Sequence, residues 1–237
     1  MKRSRSLFIA LLLAACAGAS CFLTAFTKDE PASVKPAEVA TKPLWKAVVQ
    51  EVALPGATTD PEAKGSPSRN RAKAIRLNNE GVIALNSGQY QLALQKFQEG
   101  LDADRTYGLV RTNLAIAHNN LGLQMQKTPI EASIQMRESL FYAPQNATTQ
   151  GNYNTILQMC GINPKSFNQR VELGDIAFQE RNYHAAFADY LAAAEIKDDP
   201  TLHEKLIATF RKLTPEDKQF ASNSLHAICT EEEINRN

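Results

Sequence analysis

The sequence predicts an all-α fold, and three observations lead to that class. Residues 77–104 and 170–197 share one order of small, apolar and aromatic residues, and the stretch between them repeats the first at a spacing of about 34 residues. Near the C-terminus, Leu202, Leu206 and Phe210 recur at the spacing of one helix face. Helix caps and prolines separate these stretches, and no segment alternates between apolar and polar residues as a half-buried strand does.

The two clearest units each read as a helix, a turn and a second helix. They place a glycine, an alanine and an aromatic residue in the same order, which are Gly81, Ala93 and Phe97 in the first unit and Gly174, Ala186 and Tyr190 in the last. Glycine in a helix interior costs about 1 kcal/mol relative to alanine, so these glycines predict close approach of a neighbouring helix. The aromatic side chains are expected to fill the gap between units, with about 1.5–3 kcal/mol of apolar burial each.

The middle unit is irregular but keeps the period. Residues 111–122 match the first unit at a shift of about 34 residues, which pairs Asn79 with Asn113, Asn86 with Asn120 and Gly88 with Gly122. Its second helix is predicted to begin near Pro129, with Ala132, Met136 and Pro144 in the expected order. The extra residues 124–128 lengthen either the first helix or the turn of this unit.

Over roughly residues 74–200, these three units resemble the tetratricopeptide repeat family. The resemblance lies in the spacing and in the glycine, alanine and aromatic positions. None of the units has the family's tryptophan, and only the middle unit keeps the late proline, Pro144. The resemblance implies a short right-handed α-solenoid of helix–turn–helix repeats, whose first helices line a concave surface that holds another polypeptide.

More helices are predicted between and after the units. Residues 148–159 are expected to form a single helix between the second and third units. Thr214 is predicted to be an N-cap and Pro215 the first residue of the last helix. The two C-terminal helices are expected to cap the apolar face of the third unit. These elements give about nine helices in a domain of residues 72–230, followed by a tail of residues 231–237.

Residues 1–26 carry an export or anchoring signal. Basic residues precede an apolar stretch, and Leu-Ala-Ala-Cys at residues 13–16 resembles a bacterial lipobox, in which Cys16 is lipidated. Residues 17–19 offer a rival cleavage site that would give a secreted protein. The apolar character continues to Phe26, which is long enough for an uncleaved anchor that spans the membrane. All three alternatives place the repeat domain outside the cytoplasm, in a bacterial cell envelope.

Residues 27–71 are predicted to be a linker. They are rich in Pro, Ala, Lys, Glu and Thr and show no lasting periodicity, and a random coil of this length reaches about 35–40 Å. The apolar segment 44–54, which contains Trp45, interrupts the linker. Two interpretations stay open: a short element that docks on the chain's own domain or a chance cluster, and a linear motif for a partner.

Composition and motif spacing argue against several classes of function. The formal net charge is only +1 and no basic face emerges, which argues against nucleic-acid binding. The four histidines lack metal-ligand spacing, and neither a glycine-rich phosphate loop nor a nucleophile elbow is present. Two cysteines, Cys160 and Cys229, do not make a disulfide scaffold, although their pairing is an open question. We therefore expect no catalytic residue, metal, cofactor or small-molecule substrate.

The candidate partner-binding residues are polar. Asparagines recur on the first helices of consecutive units, and an amide can both donate to and accept from a peptide backbone. The groove residues predicted in this way are Asn79, Asn113, Asn86 and Asn120, with Glu172 and Asp175 on the third unit. The competing interpretations are that the asparagines satisfy helix ends and turns and that the two acids form a solvated helix face.

The sequence thus predicts a membrane-tethered scaffold in the envelope that binds a protein or peptide and catalyses nothing. Two narrower alternatives stay open. One is a dedicated assembly factor, like the lipoproteins that support pilus or outer-membrane biogenesis. The other is an accessory subunit of an envelope enzyme, which a polar pocket with converging titratable groups would favour.

Overall fold

The computed structural model describes residues 69–236. These residues form ten α-helices and no strand, with the bounds α1 Arg69–Asn86, α2 Tyr90–Ala103, α3 Gly108–Gln124, α4 Pro129–Tyr142, α5 Ala147–Met159, α6 Phe167–Gln179, α7 Tyr183–Ala194, α8 Pro200–Lys212, α9 Pro215–His226 and α10 Glu231–Asn235. The all-α class is therefore confirmed for this part of the chain. Cys16 and the predicted signal lie outside the described residues, as does the segment that contains Trp45.

Consecutive helices pack as antiparallel pairs. The pairs are α1 with α2, α3 with α4, and α6 with α7, while α5 is a single helix that packs against α4. The single helix and the irregular turn at residues 125–128 were both predicted from the sequence, and both predictions are confirmed. The array then continues through α8, and α9 turns back to contact α4. Residues 231–237, expected as a tail, begin with the short helix α10.

Glycine lets the two helices of a pair approach closely. A Cβ atom added to Gly81 would lie 2.5 Å from the ring of Phe97, and one added to Gly174 would overlap the ring of Tyr190 in the same way. Both glycines and both rings are buried. Each ring therefore closes the interface inside its own pair, between the first and second helix, whereas the sequence suggested that it fills the gap between units.

The array begins with a charged face. At the start of α3, the stripe that packs towards α2 is buried and apolar and consists of the N-cap residue Tyr107 with Val110 and Leu114 of the helix. The positions about 34 residues earlier, on α1, are instead occupied by Lys73, Arg76 and Glu80. Lys73 and Arg76 are exposed, and Glu80 pairs with Arg76 at 3.7 Å and with Lys96 at 2.9 Å. The residues on this face of α1 are therefore suited to contact with water.

Two further features of the described domain concern its cysteines and the polarity of its helices. Cys160 and Cys229 are free, buried thiols. Across residues 69–236, every helix is too short or too polar to cross a lipid bilayer.

Candidate partner-binding site

The four predicted asparagines lie on α1 and α3 and differ in their access to solvent. Asn113 and Asn120 are buried, with 0% and 3% of their surface exposed. Asn79 is half-buried, and Asn86, the last residue of α1, is exposed. The structure brings Asn79 and Asn113 into one polar cluster, whereas Asn86 stands apart from it at the end of the helix.

Buried amide groups join α1 to α3 and α3 to the single helix α5. Asn113 Nδ2 donates to Asn78 Oδ1 at 2.8 Å, and Asn78 Nδ2 donates to Asn79 Oδ1 at 3.3 Å, which links α3 to α1. A second chain of amides links α5 to α3, in which Asn152 Nδ2 donates to Asn119 Oδ1 at 2.9 Å and Asn119 Nδ2 donates to Asn120 Oδ1 at 3.1 Å. The doubled asparagines at 78–79 and 119–120 are the sequence signal for these chains.

Asp175 lies in a small polar pocket of about 290 Å³ between α6, α7 and α8. The Tyr190 hydroxyl donates to its carboxylate at 2.7 Å, and the Lys205 ammonium forms an ion pair with the same oxygen. Phe178, Gln179 and Ala208 complete the lining. Glu172, one helical turn earlier, is half-buried on the same helix. The partner-binding role of these acids and of the asparagines stays a prediction.

A larger cavity lies where α9 folds back over α4 and α7, and we refer to it as the apolar groove. It measures about 320 Å³ and is lined by Leu140, Pro144, Gln145, Gln150, Ala188, Leu191, Ala192, Ala194, Glu195, Ser224, Ala227 and Ile228. A neighbouring cavity of about 200 Å³ shares Leu140, Gln150, Ala192 and Glu195 with it and extends to Lys165 and Arg170. The sequence did not predict this site, because its walls come from helices that are distant in the chain.

A buried ionic cluster joins three helices that line the groove, α4, α5 and α7, to α6. Asp189 on α7 is fully buried and accepts hydrogen bonds from Tyr153 at 2.8 Å and from Arg170 at 3.3 Å. Its second carboxylate oxygen lies 3.7 Å from Nε of Arg137. Breaking a buried ion pair by removing one partner costs about 3–5 kcal/mol, so the cluster constrains α4, α5, α6 and α7 together. Asp189 is the only charged residue in the apolar run 185–194, which is the sequence signal for it.

His184 on α7 holds α9 in place as a wall of the groove. Its Nδ1 atom lies 3.0 Å from Glu138 on α4, its Nε2 atom lies 3.2 Å from Asp217 on α9, and its ring stacks on Phe141 at 3.7 Å. Burial opposes the charged form, but the hydrogen bonds to the two carboxylates outweigh it and raise the pKa of His184 to about 9. His184 is therefore a cation at neutral pH. Nearby, burial lowers the pKa of His118 and keeps that ring neutral.

These contacts describe an array of packed antiparallel helix pairs with an apolar groove and a small polar pocket. Within residues 69–236, no group of three or more His, Cys, Asp or Glu side chains is arranged to hold a metal ion. No protein-family model, curated protein or solved structure matches the chain.

Proposed function

We propose that this protein is a scaffold that binds another polypeptide through a repeat domain of the tetratricopeptide type. The observation that carries the proposal is the sequential array of helix pairs, in which Gly81 with Phe97 and Gly174 with Tyr190 repeat one packing solution. In the proposed architecture the array is a short right-handed α-solenoid, and α8 to α10 are its C-terminal cap. The lipobox-like N-terminus tethers the domain to a bacterial envelope membrane.

The apolar groove is the proposed binding surface. Buried apolar area contributes about 25 cal/mol per Å², and the alanines of α7 leave room for the side chains of a partner segment. Gln145, Gln150 and Glu195 at the rim supply acceptors and donors that fix the orientation of a backbone. A segment of a protein, helical or extended, with two or three neighbouring apolar side chains matches this lining.

A second surface includes the residues predicted from the sequence. Asn79 and Asn86 reach solvent on the first unit, and Asp175 lines the polar pocket on the third. This pocket brings Asp175, Tyr190 and Lys205 together, which is the observation that favours the accessory-subunit alternative. The ion pair between Asp175 and Lys205 uses both charges, so we propose that the pocket binds a partner and carries out no chemistry.

The test compares partner capture by variants of the tethered, full-length protein in envelope membranes. Ala192→Arg fills the apolar groove, whereas Ala72→Arg places the same side chain on the exposed face of α1. We expect cross-linked partners to be lost from Ala192→Arg and kept by Ala72→Arg, with equal helix content in both. Capture that survives Ala192→Arg but fails in Asn79→Ala would place the site on the first unit. Capture unaffected by every variant would contradict the proposal.

A further inference from the structure

We propose that the apolar groove is occupied in the free protein by the chain's own residues 44–54, Leu-Trp-Lys-Ala-Val-Val-Gln-Glu-Val-Ala-Leu. The inference rests on the proposed function only in treating the groove as a binding surface. It goes further, because it assigns an occupant. A partner would then bind by displacing a tethered segment.

The chemistry of the segment matches the lining of the groove. Only three residues of the segment are polar, which are Lys46, Gln50 and Glu51. Trp45, Val48, Val49 and Val52 have the i, i+3, i+4, i+7 spacing that places side chains on one helix face. An apolar stripe of this kind is what helix-in-groove recognition uses. The small side chains of Ala188 and Ala192 leave space for it, and Glu195 at the rim offers a carboxylate to Lys46.

The connection to the folded domain is long enough. Residues 55–68 separate the segment from Arg69, and an extended chain spans about 3.3–3.6 Å per residue, so this tether reaches up to about 45–50 Å. A compact domain the size of residues 69–236 has a radius of gyration of about 15 Å. The tether can therefore deliver the segment to any side of the domain.

Two contacts connect the start of α1 with α9 by way of the start of α3. Arg71, near the start of α1, pairs with Asp104 at 2.7 Å and lies over the ring of Tyr107 in the turn before α3. At the start of α3, Arg111 lies 5.0 Å from the ring of Phe220 on α9. The end of α9 and the residues after it line the groove. The start of α3 therefore connects the start of α1, where the tether ends, with the helix that forms one wall of the proposed destination.

Another exposed apolar feature of the described domain, on α1 and α2, is a less favourable binding surface for the segment. Ile83 on α1 is 69% exposed and Leu92 on α2 is 41% exposed, but the stripe that continues from Ile83 along α1 is charged. An apolar segment laid on that stripe would desolvate Arg76 and Glu80 without replacing their contacts with water, which is unfavourable. The apolar groove presents no such cost, because one carboxylate at its rim is its only charged lining residue.

The only tryptophan of the chain, Trp45, reports on the proposal directly. In the full-length protein in detergent micelles or vesicles, its emission should be blue-shifted and its quenching by acrylamide weak compared with the denatured protein. Ala192→Arg should shift the emission to the red and raise the acrylamide quenching constant severalfold. Ala72→Arg, the matched control, should leave both unchanged. Circular dichroism checks that both variants stay folded.

Three outcomes would overturn the inference: an exposed Trp45 in the wild type, an emission that Ala192→Arg does not change, and quenching of Trp45 by brominated lipid. If the emission of Trp45 depends on protein concentration, a second copy of the chain occupies the groove, and this result would also overturn the inference. The proposed function is judged separately by partner capture. If Ala192→Arg loses partner capture while Trp45 is exposed in the wild type, the proposed scaffold function stands and the docked segment is rejected.

Discussion

Some polar side chains of this protein are buried in its core, where they align the helices. Asn113 has no exposed surface, and its amide reaches Asn78 on the first helix of the preceding unit. A buried amide that loses its partner costs about 1–3 kcal/mol, because the remaining group is left without a hydrogen bond and without water. These amides therefore set the alignment of α1, α3 and α5 against one another.

We predict that Asn113→Ala lowers the free energy of unfolding by about 1–3 kcal/mol, because it orphans a buried amide group of Asn78. Asn86→Ala is the matched control, since Asn86 is exposed and exposed changes shift stability by less than about 0.5 kcal/mol. Urea titration of both variants measures the difference. Equal losses in the two variants would show that the amide chain contributes nothing to stability.

At the scale of the helix, the position of α9 depends on the contacts of one histidine. His184 bridges Glu138 and Asp217, and no short stretch of sequence contains all three residues. The ring of Tyr142 on α4 also contacts the ring of Phe220 on α9. The position of α9, and with it one wall of the apolar groove, is therefore coupled to the protonation of His184.

We predict that stability falls at alkaline pH through His184. Its pKa in the folded protein, about 9, lies above the ordinary value of 6.5, so its contribution is complete below about pH 6.5 and is lost as the pH rises through about 9. The shift corresponds to at most about 3 kcal/mol. The titratable groups that face the ring are Glu138, Asp217, Tyr142 and His118. Burial raises the pKa of Tyr142. The hydrogen bonds to His184 lower the pKa of both carboxyls despite their burial, so the carboxyl contributions are lost at acidic pH instead.

Chemical denaturation from pH 6 to 10 measures this dependence. In the wild type, the free energy of unfolding should decrease with pH between pH 6.5 and 9. The same decrease is expected in His226→Gln, because His226 is exposed on α9, and it should be absent in His184→Gln. A slope that persists in His184→Gln would assign the effect to another group.

The sequence predicts those helices whose limits are set by local chemistry. Thr214 caps α9 through the amide of Asp217, as the run Thr-Pro-Glu-Asp indicates, and Pro129 begins α4. The groove and its supports could not be predicted in this way, because their contacts join residues far apart in the chain. Asp189, for example, meets Tyr153 and Arg137 from two other helices. Polar residues on an apolar face indicate that such partners exist but do not identify them.

At the scale of the whole molecule, the tether and the domain have separate tasks. In the proposed function, the tether sets the location and the effective concentration of the domain near a membrane, and the domain presents a binding surface. If Cys16 carries acyl chains, each buried methylene contributes about 0.8 kcal/mol to anchoring, and more than one chain is needed for stable attachment.

We predict that Cys16 is acylated. The wild-type protein should incorporate labelled fatty acid in a bacterial host, and Cys16→Ala should not, because the lipobox-like residues 13–16 place Cys16 at the modified position. Cys21→Ala, which removes a cysteine from the same apolar stretch, is the matched control and should be labelled normally. Label in Cys16→Ala, or none in the wild type, would favour the spanning anchor or the secreted form.

The charged face of α1 has a consequence for crowding on a membrane. Proteins built from stacked units can polymerise when the first unit of one molecule continues the stack of another, and a contact that does not close on itself grows into a fibre. Here such growth would remove Arg76 and Glu80 from water in the contact between two molecules, which is unfavourable. If the domain is tethered as proposed, many molecules can therefore share a small area of membrane without joining end to end.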